Sequence, residues 1–257
     1  MGDLPSGIRL KLERGHEHFQ ALEGLLRSWE RPQPHRVFTE PDENSDAELQ
    51  RFRYVIQIIR PLPSDELSKA LGDCINNYRC VLDHLIWQHS IVATGLNPPK
   101  PMGIKFPASG TSGLHAVPPS VVAAVQGLQG HRAGDDPAIP PPLRMLIELS
   151  NADKHRAIHA VHHFVRNVNV SVVPHIIGTT VENAQPTPLK GDAIVLARIA
   201  IPRPRWRGEA VDMKCRTEHG VAIAETARTP LAHLGLTLTA IRQRVEEAVD
   251  TLGDLLP

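Results

Sequence analysis

The sequence predicts an α+β fold, with a helical core of about four to five helices beside an antiparallel sheet of about four to six strands. Three observations carry that reading. Apolar residues recur at helical spacing in four long segments, the period changes to two across 166–226, and helices and strands come in runs without strict alternation. No internal repeat interrupts the pattern, and 257 residues can bury one large core, so the chain reads as a single domain over 1–257.

Residues 8–30 carry Leu12, Phe19, Leu22, Leu25, Leu26 and Trp29 on one helical face, with Gly15 as a weak point. Pro32 and Pro34 end this helix, and a hairpin follows over 35–60. Its first strand is HRVFT, its loop the acidic run Glu40 to Asp46, and its second strand alternates Phe52, Tyr54, Ile56 and Ile58. Ser64, with Glu66 in the first turn, opens a helix over 64–93 that is apolar nearly all round and therefore central. From Gly95 to Pro142 the chain is rich in Pro and Gly, with one short helical candidate at Ser120 to Leu128; so long an irregular segment is either a binding loop or a wrap over the core. A second central helix spans 142–165. Strands follow at NVNVSVVPHI, GDAIVLARIAI and AVDMKCRTEHGVAIAET, the last with a turn at EHG, and a closing helix spans 230–255.

Composition narrows the function classes. Lys plus Arg and Asp plus Glu number 28 each, so no global field draws the chain to nucleic acid or to an anionic surface. Apolar runs such as VLDHLIW are broken by charge well short of the roughly 20 residues of a membrane span. The first residues, MGDLPSGIRLKLERG, lack the apolar core of a secretory signal, so the expectation is a cytoplasmic protein with no membrane partner. Cys74, Cys80 and Cys215 show no CxxC spacing and read as reduced, buried thiols. Glycine-rich phosphate loops, GxSxG elbows and dinucleotide fingerprints are missing from the sequence, and no cofactor is expected.

The chemistry concentrates in Leu149 to His163, LSNADKHRAIHAVHH. At helical spacing Ile147, Asn151, Lys154, Ile158, Val161 and Val165 share one stripe, which places an amide and an ammonium where a core-facing helix normally carries Leu or Val. A buried amide without a partner costs on the order of 1–3 kcal/mol, so complementary groups or a ligand must meet it. The helix over 64–93 offers Arg79, Asp83 and His84; the helix over 142–165 offers Asn151, Asp153, Lys154, His155 and Arg156. If the two pack, they form either a polar pocket or an ion network that fixes helix register. His155, His159 and His163 also recur every four residues, which is zinc-ligand spacing; a metal site needs a further ligand from elsewhere, which Asp83 or His84 could supply, and solvated histidines are the commoner outcome, so no metal is assigned. The run PRPRWRG presents Arg203, Arg205 and Arg207 around Trp206, a group able to meet phosphates and stack on a base, or simply a solvated hairpin loop.

Leu82-Asp83-His84-Leu85, the run from Leu149 to Arg156, and Phe106-Pro107 between them resemble a family of uncharacterised bacterial proteins that pair an LDHL-type helix with an LSNxDKHR-type helix. That resemblance implies a shape and no established activity. More distantly, Arg79 and His84 are similar in spacing to the motif of HEPN ribonucleases, and Asn151 with His155 to its asparagine-bearing version, with Ser150 in place of the arginine. The HEPN likeness implies metal-independent RNA cleavage, with Arg79 against the phosphate and His84, assisted by His155, moving protons. The residues taken alone imply a binding or regulatory protein for a small anionic or polar ligand, held by Asp83, Asn151, Asp153, Lys154 and Arg156 with Arg79. A purely structural network is the third expectation, and oligomeric state is left open.

Overall fold

The structure, a computed structural model, describes residues 4–131, 140–155, 161–173, 177–183, 193–203, 212–223 and 232–257; for 155, 161–173, 212–219 and 232 it describes the backbone alone. The fold is α+β, and the chain divides into two compact units. The first comprises Met1–Leu26, Ser64–Val161 and Ile223–Pro257; the second comprises Arg27–Pro63 and His162–Ala222.

The first unit is helical. Its elements are α1 (Ser6–Glu30, whose last turn falls in the second unit), α2 (Ser64–Thr94), α3 (Pro119–Gln129), α4 (Pro142–His155) and α5 (Leu234–Gly253), with a 3-10 turn at Pro101–Gly103. Helix α2 is the axis. Leu67, Leu71, Ile75, Tyr78, Leu82, Leu85 and Ile86 on it are wholly buried, and it packs on both α4 and α5. Each such leucine contributes about 1.5–3 kcal/mol of burial, which is why the nearly all-round apolar pattern places α2 in the middle. Asp65 and Glu66 favour its N-terminal dipole, and Gly95, at φ +85°, ends it by returning its amide to the carbonyl of Ile91 at 2.8 Å.

Two close contacts fix how helices meet α2. A Cβ at Gly15 would lie 2.6 Å from the Tyr78 ring, so the apparent weak point of α1 is where that ring packs against its backbone. A Cβ at Gly72 would lie 2.9 Å from the Asp153 carboxylate, so α4 approaches α2 with a polar side chain seated over a glycine. Buried Arg244 on α5 donates to the carbonyls of Leu128 (3.1 Å), Gly127 (3.3 Å) and Gly130 (3.2 Å) and pairs with Glu247, satisfying the orphan carbonyls at the end of α3. Nearer the end of α5, the buried His89 of α2 donates Nε2–H to the carbonyl of Leu252 at 2.9 Å.

The second unit holds the β-structure. Strands β1 (His35–Pro41), β2 (Leu49–Ile58), β4 (Thr180–Asn183) and β5 (Ala193–Pro202) form an antiparallel sheet in the order β1-β2-β5-β4, and β3 (Val161–Val173) lies beside β6 (Asp212–Ile223). The early hairpin thus joins a later strand, as its alternation allows. One face of the sheet buries Tyr54, Ile56, Leu196 and Ala197. Across the other runs a register row of Glu40, Arg53, Arg198 and Glu182, with Arg53 3.1 Å from Glu40. Asp42 closes the β1–β2 loop: its carboxylate accepts from the Asn44 amide at 3.0 Å, which holds its pKa below the usual aspartate value. In the first unit a two-residue strand, β7 (Ala232–His233), leads into α5.

Three sequence expectations are corrected. The helix placed over 142–165 is described as helix over Pro142–His155, and its last residues, from Val161, are strand. The Val-rich, period-two run extends back through Phe164 to Val161, and β-branched and aromatic side chains keep more rotamer freedom on a strand than on a helix, so the strand wins those residues. EHG is no turn but part of continuous β6, and a strand, β4, forms at Thr180–Asn183, between the expected strands. No helix among the described residues is long and apolar enough to cross a membrane.

Candidate functional site

Within the helical unit, α2, α4 and the loop between α2 and α3 enclose a cleft of about 340 Å³. It is lined by Arg79 and Asp83 of α2, by Ile147, Asn151 and Lys154 of α4, and by Lys105 to Ser109 and Ser112 of the loop. The α4 residues sit at i, i+4 and i+7, so the stripe read from the sequence is real over its first three members. Its direction differs from expectation. The core-facing side of α4 is Leu143, Leu146, Leu149 and Ser150, while Asn151 and Lys154 are exposed on the rim of the cleft. No amide or ammonium is buried on α4, because the helix rotates them towards the opening.

Asp83 organises the site. It accepts from Arg79 through two nitrogens, Nε to Oδ2 at 3.0 Å and Nη2 to Oδ1 at 2.9 Å, and Oδ1 also accepts from the backbone amide of Phe106 at 2.9 Å. One carboxylate therefore aligns the guanidinium and ties the loop to α2. Other contacts hold the loop as well. Gln129 on α3 donates to the carbonyls of Pro107 (3.1 Å) and Gly110 (3.0 Å). Gly113 takes φ +98°, where a Cβ would come within 2.5 Å of the Lys105 carbonyl, so only glycine lets the chain double back beside Lys105. The stretch from Lys105 to Ser112 is thus held as one wall of the cleft.

The charges around the cleft are unequal. The Arg79 side chain is 8% exposed, and with Nε and Nη2 on Asp83 its remaining nitrogen, Nη1, is buried without a hydrogen-bond partner. Lys105 and Lys154 are exposed, and neither pairs with a carboxylate among the described residues. Three cations and one carboxylate face a single space.

The structure brings together Arg79, Asp83, Asn151 and Lys154 from the sequence-predicted set, and separates others from them. Asp153 is turned to α2, where it accepts from Asn76 Nδ2 at 2.6 Å; the Asn76 carbonyl in turn accepts from buried Ser150 at 3.1 Å. This clasp holds α4 on α2 and leaves Asp153 outside the lining. His84 is exposed on α2 and is also outside it. The His155 side chain, Arg156 and His159 lie outside the described residues, and His163 falls on β3, so the helical recurrence of histidines does not extend to His163. No cluster of three or more metal-ligating side chains occurs among the described residues. Of the arginine-rich run, Arg203 bonds Gln50 at 3.0 Å, and Arg205, Trp206 and Arg207 lie outside the described residues.

Sequence reasoning missed Lys105, Ser109, Ser112 and the Phe106 amide. The one signal was Phe106-Pro107 between the two helical motifs, because a loop has no periodicity from which to read orientation. Asn76 was missed as well, although it lies seven residues, two helical turns, before Asp83. Cys74 is a buried thiol whose pKa burial raises to about 12, and Cys80 is half-buried; both are reduced. Comparison with protein-family models, with curated proteins and with solved structures finds no match.

Proposed function

We propose that this chain is a binding protein whose inter-helix cleft recognises a small anion through Arg79, Lys105 and Lys154. The observation that carries the reading is the Arg79 side chain: nine-tenths buried at the cleft, it keeps one guanidinium nitrogen without an acceptor. Leaving such a donor unmet costs on the order of 1–3 kcal/mol, and a small movement of the side chain would turn it to an anion in the cleft. Lys105 and Lys154 give the same space an excess of positive charge, and Asn151, Ser109 and Ser112 add neutral donors. A cleft of about 340 Å³ falls within the range of small-molecule sites.

The test is a thermal-shift screen with phosphate, sulfate and carboxylate anions on the full chain. Stabilisation by an anion that disappears in Lys154→Ala supports binding in the cleft. No shift with any anion, or a shift retained in Lys154→Ala and in Lys105→Ala, removes the reading. The ribonuclease reading is resolved alongside it: RNA cleavage without added metal, lost in a folded His84→Ala, replaces anion binding as the function. If the substitutions only lower the melting temperature, the network is scaffolding.

A further inference from the structure

We infer that the ligand of this cleft is a small phosphomonoester bound as its dianion, an inference that rests on the reading of the cleft as an anion site. Charge gives the first argument. Arg79, Lys105 and Lys154 against Asp83 leave an excess of two positive charges around one space. A phosphomonoester carries about −1.5 to −2 near neutral pH, whereas a monocarboxylate or a phosphodiester carries one negative charge and leaves one lysine uncompensated.

Donor geometry gives the second. Planar carboxylates are best held by the two-pronged face of an arginine, but Asp83 already occupies Nε and Nη2 of Arg79. What remains is the charge of Arg79 with its one buried, unpartnered nitrogen, two lysine ammonium groups that donate in rotatable directions, and the Ser109 and Ser112 hydroxyls. Such a scattered set suits a tetrahedral group whose three terminal oxygens accept from many directions. It offers a flat dicarboxylate no matching fork.

Size and lining give the third. The cleft of about 340 Å³ admits a phosphate with a short organic remainder. Phe106, Pro107 and Ile147 line it but are themselves buried, so the wall met by that remainder is mostly polar. A small hydroxylated ester fits better than an aromatic one.

The experiment is isothermal titration of the full chain with glycerol 3-phosphate, with succinate, acetate, dimethyl phosphate and sulfate as comparators, at pH 7.5 and 5.5. Glycerol 3-phosphate is expected to bind at least tenfold tighter than succinate, acetate or dimethyl phosphate. Its affinity should fall about fourfold at pH 5.5, the loss of dianion for a second pKa near 6. Sulfate stays a dianion across this range and corrects for titration of the protein. Lys105→Ala and Lys154→Ala should each weaken glycerol 3-phosphate at least tenfold with the melting temperature unchanged. Succinate or dimethyl phosphate binding as tightly as glycerol 3-phosphate overturns the phosphomonoester while keeping an anion site. A pH response that matches sulfate overturns the dianion requirement. If no anion binds, or if the double Lys105→Ala/Lys154→Ala variant binds as well as the parent, both the inference and the reading beneath it fall.

Discussion

Replacing Asp83 with alanine removes the acceptor for three donors at once: Nε and Nη2 of Arg79, at 3.0 and 2.9 Å, and the Phe106 amide, at 2.9 Å. The Arg79 side chain is 8% exposed, so its cation stays out of water with nothing opposite it. Breaking a buried pair from one side costs about 3–5 kcal/mol. The Asp83 side chain is 31% exposed, and water reaching the vacated space offsets part of the loss, which sets the expected cost near about 3 kcal/mol. Chemical denaturation should show this as a lower midpoint with an unchanged slope. Hydrogen exchange at the Phe106 amide should accelerate, because that bond ties the loop to α2. Removing the cation as well, in Arg79→Met/Asp83→Ala, should recover a large part of the loss, since the main penalty is the stranded guanidinium. An Asp83→Ala cost below about 1 kcal/mol, or a double variant less stable than the single by the full Arg79→Met cost, would refute the claim that Asp83 holds both Arg79 and the cleft wall.

Other consequences are separable from this one. Gly15→Ala should destabilise by about 1–3 kcal/mol, because its Cβ would meet the wholly buried Tyr78 ring at 2.6 Å, whereas Gly24→Ala on the same helix, with open space around it, should be neutral or stabilising by about 0.5–1 kcal/mol; equal effects in thermal melts would contradict the packing. Asn76→Ala removes the acceptor of Ser150 and the donor to Asp153, and should cost about 1–3 kcal/mol with the cleft-lining charges untouched. Burial lowers the pKa of His89 below 6.5, so the unfolded chain takes up the proton first as pH falls. This contribution to stability is complete above about pH 6.5 and declines below it, by at most about 1.4 kcal/mol per pH unit, until the folded pKa is reached. Denaturation of His89→Gln should show a shallower decline between pH 6.5 and 5; a parallel curve would place the pH dependence elsewhere.

Much of the fold was legible because apolar spacing sees burial directly. The apolar girth of α2 marked it as central, and the alternation of Phe52, Tyr54, Ile56 and Ile58 marked β2. The site was legible in half. Arg79 with Asp83, and Asn151 with Lys154, were visible as polar positions on patterned helices. Their orientation was not, because Leu143, Leu146 and Leu149 compete for the core side and rotate Lys154 outward. The end of α4 was misplaced because Val161 and Val165 fit a helical stripe and a strand alternation equally well, and only pairing partners decide between them. The loop residues had no pattern to betray them. Their positions follow from tertiary bonds to Asp83 and Gln129, and from the backbone crossing at Gly113.

A crystal structure of the full chain grown with saturating glycerol 3-phosphate tests the anion cleft most directly. The account predicts a tetrahedral group between Lys105 and Lys154, within hydrogen-bond reach of Arg79, with Asp83 still on the Phe106 amide. A cleft holding only water, with the phosphate absent or seated elsewhere on the molecule, would contradict it.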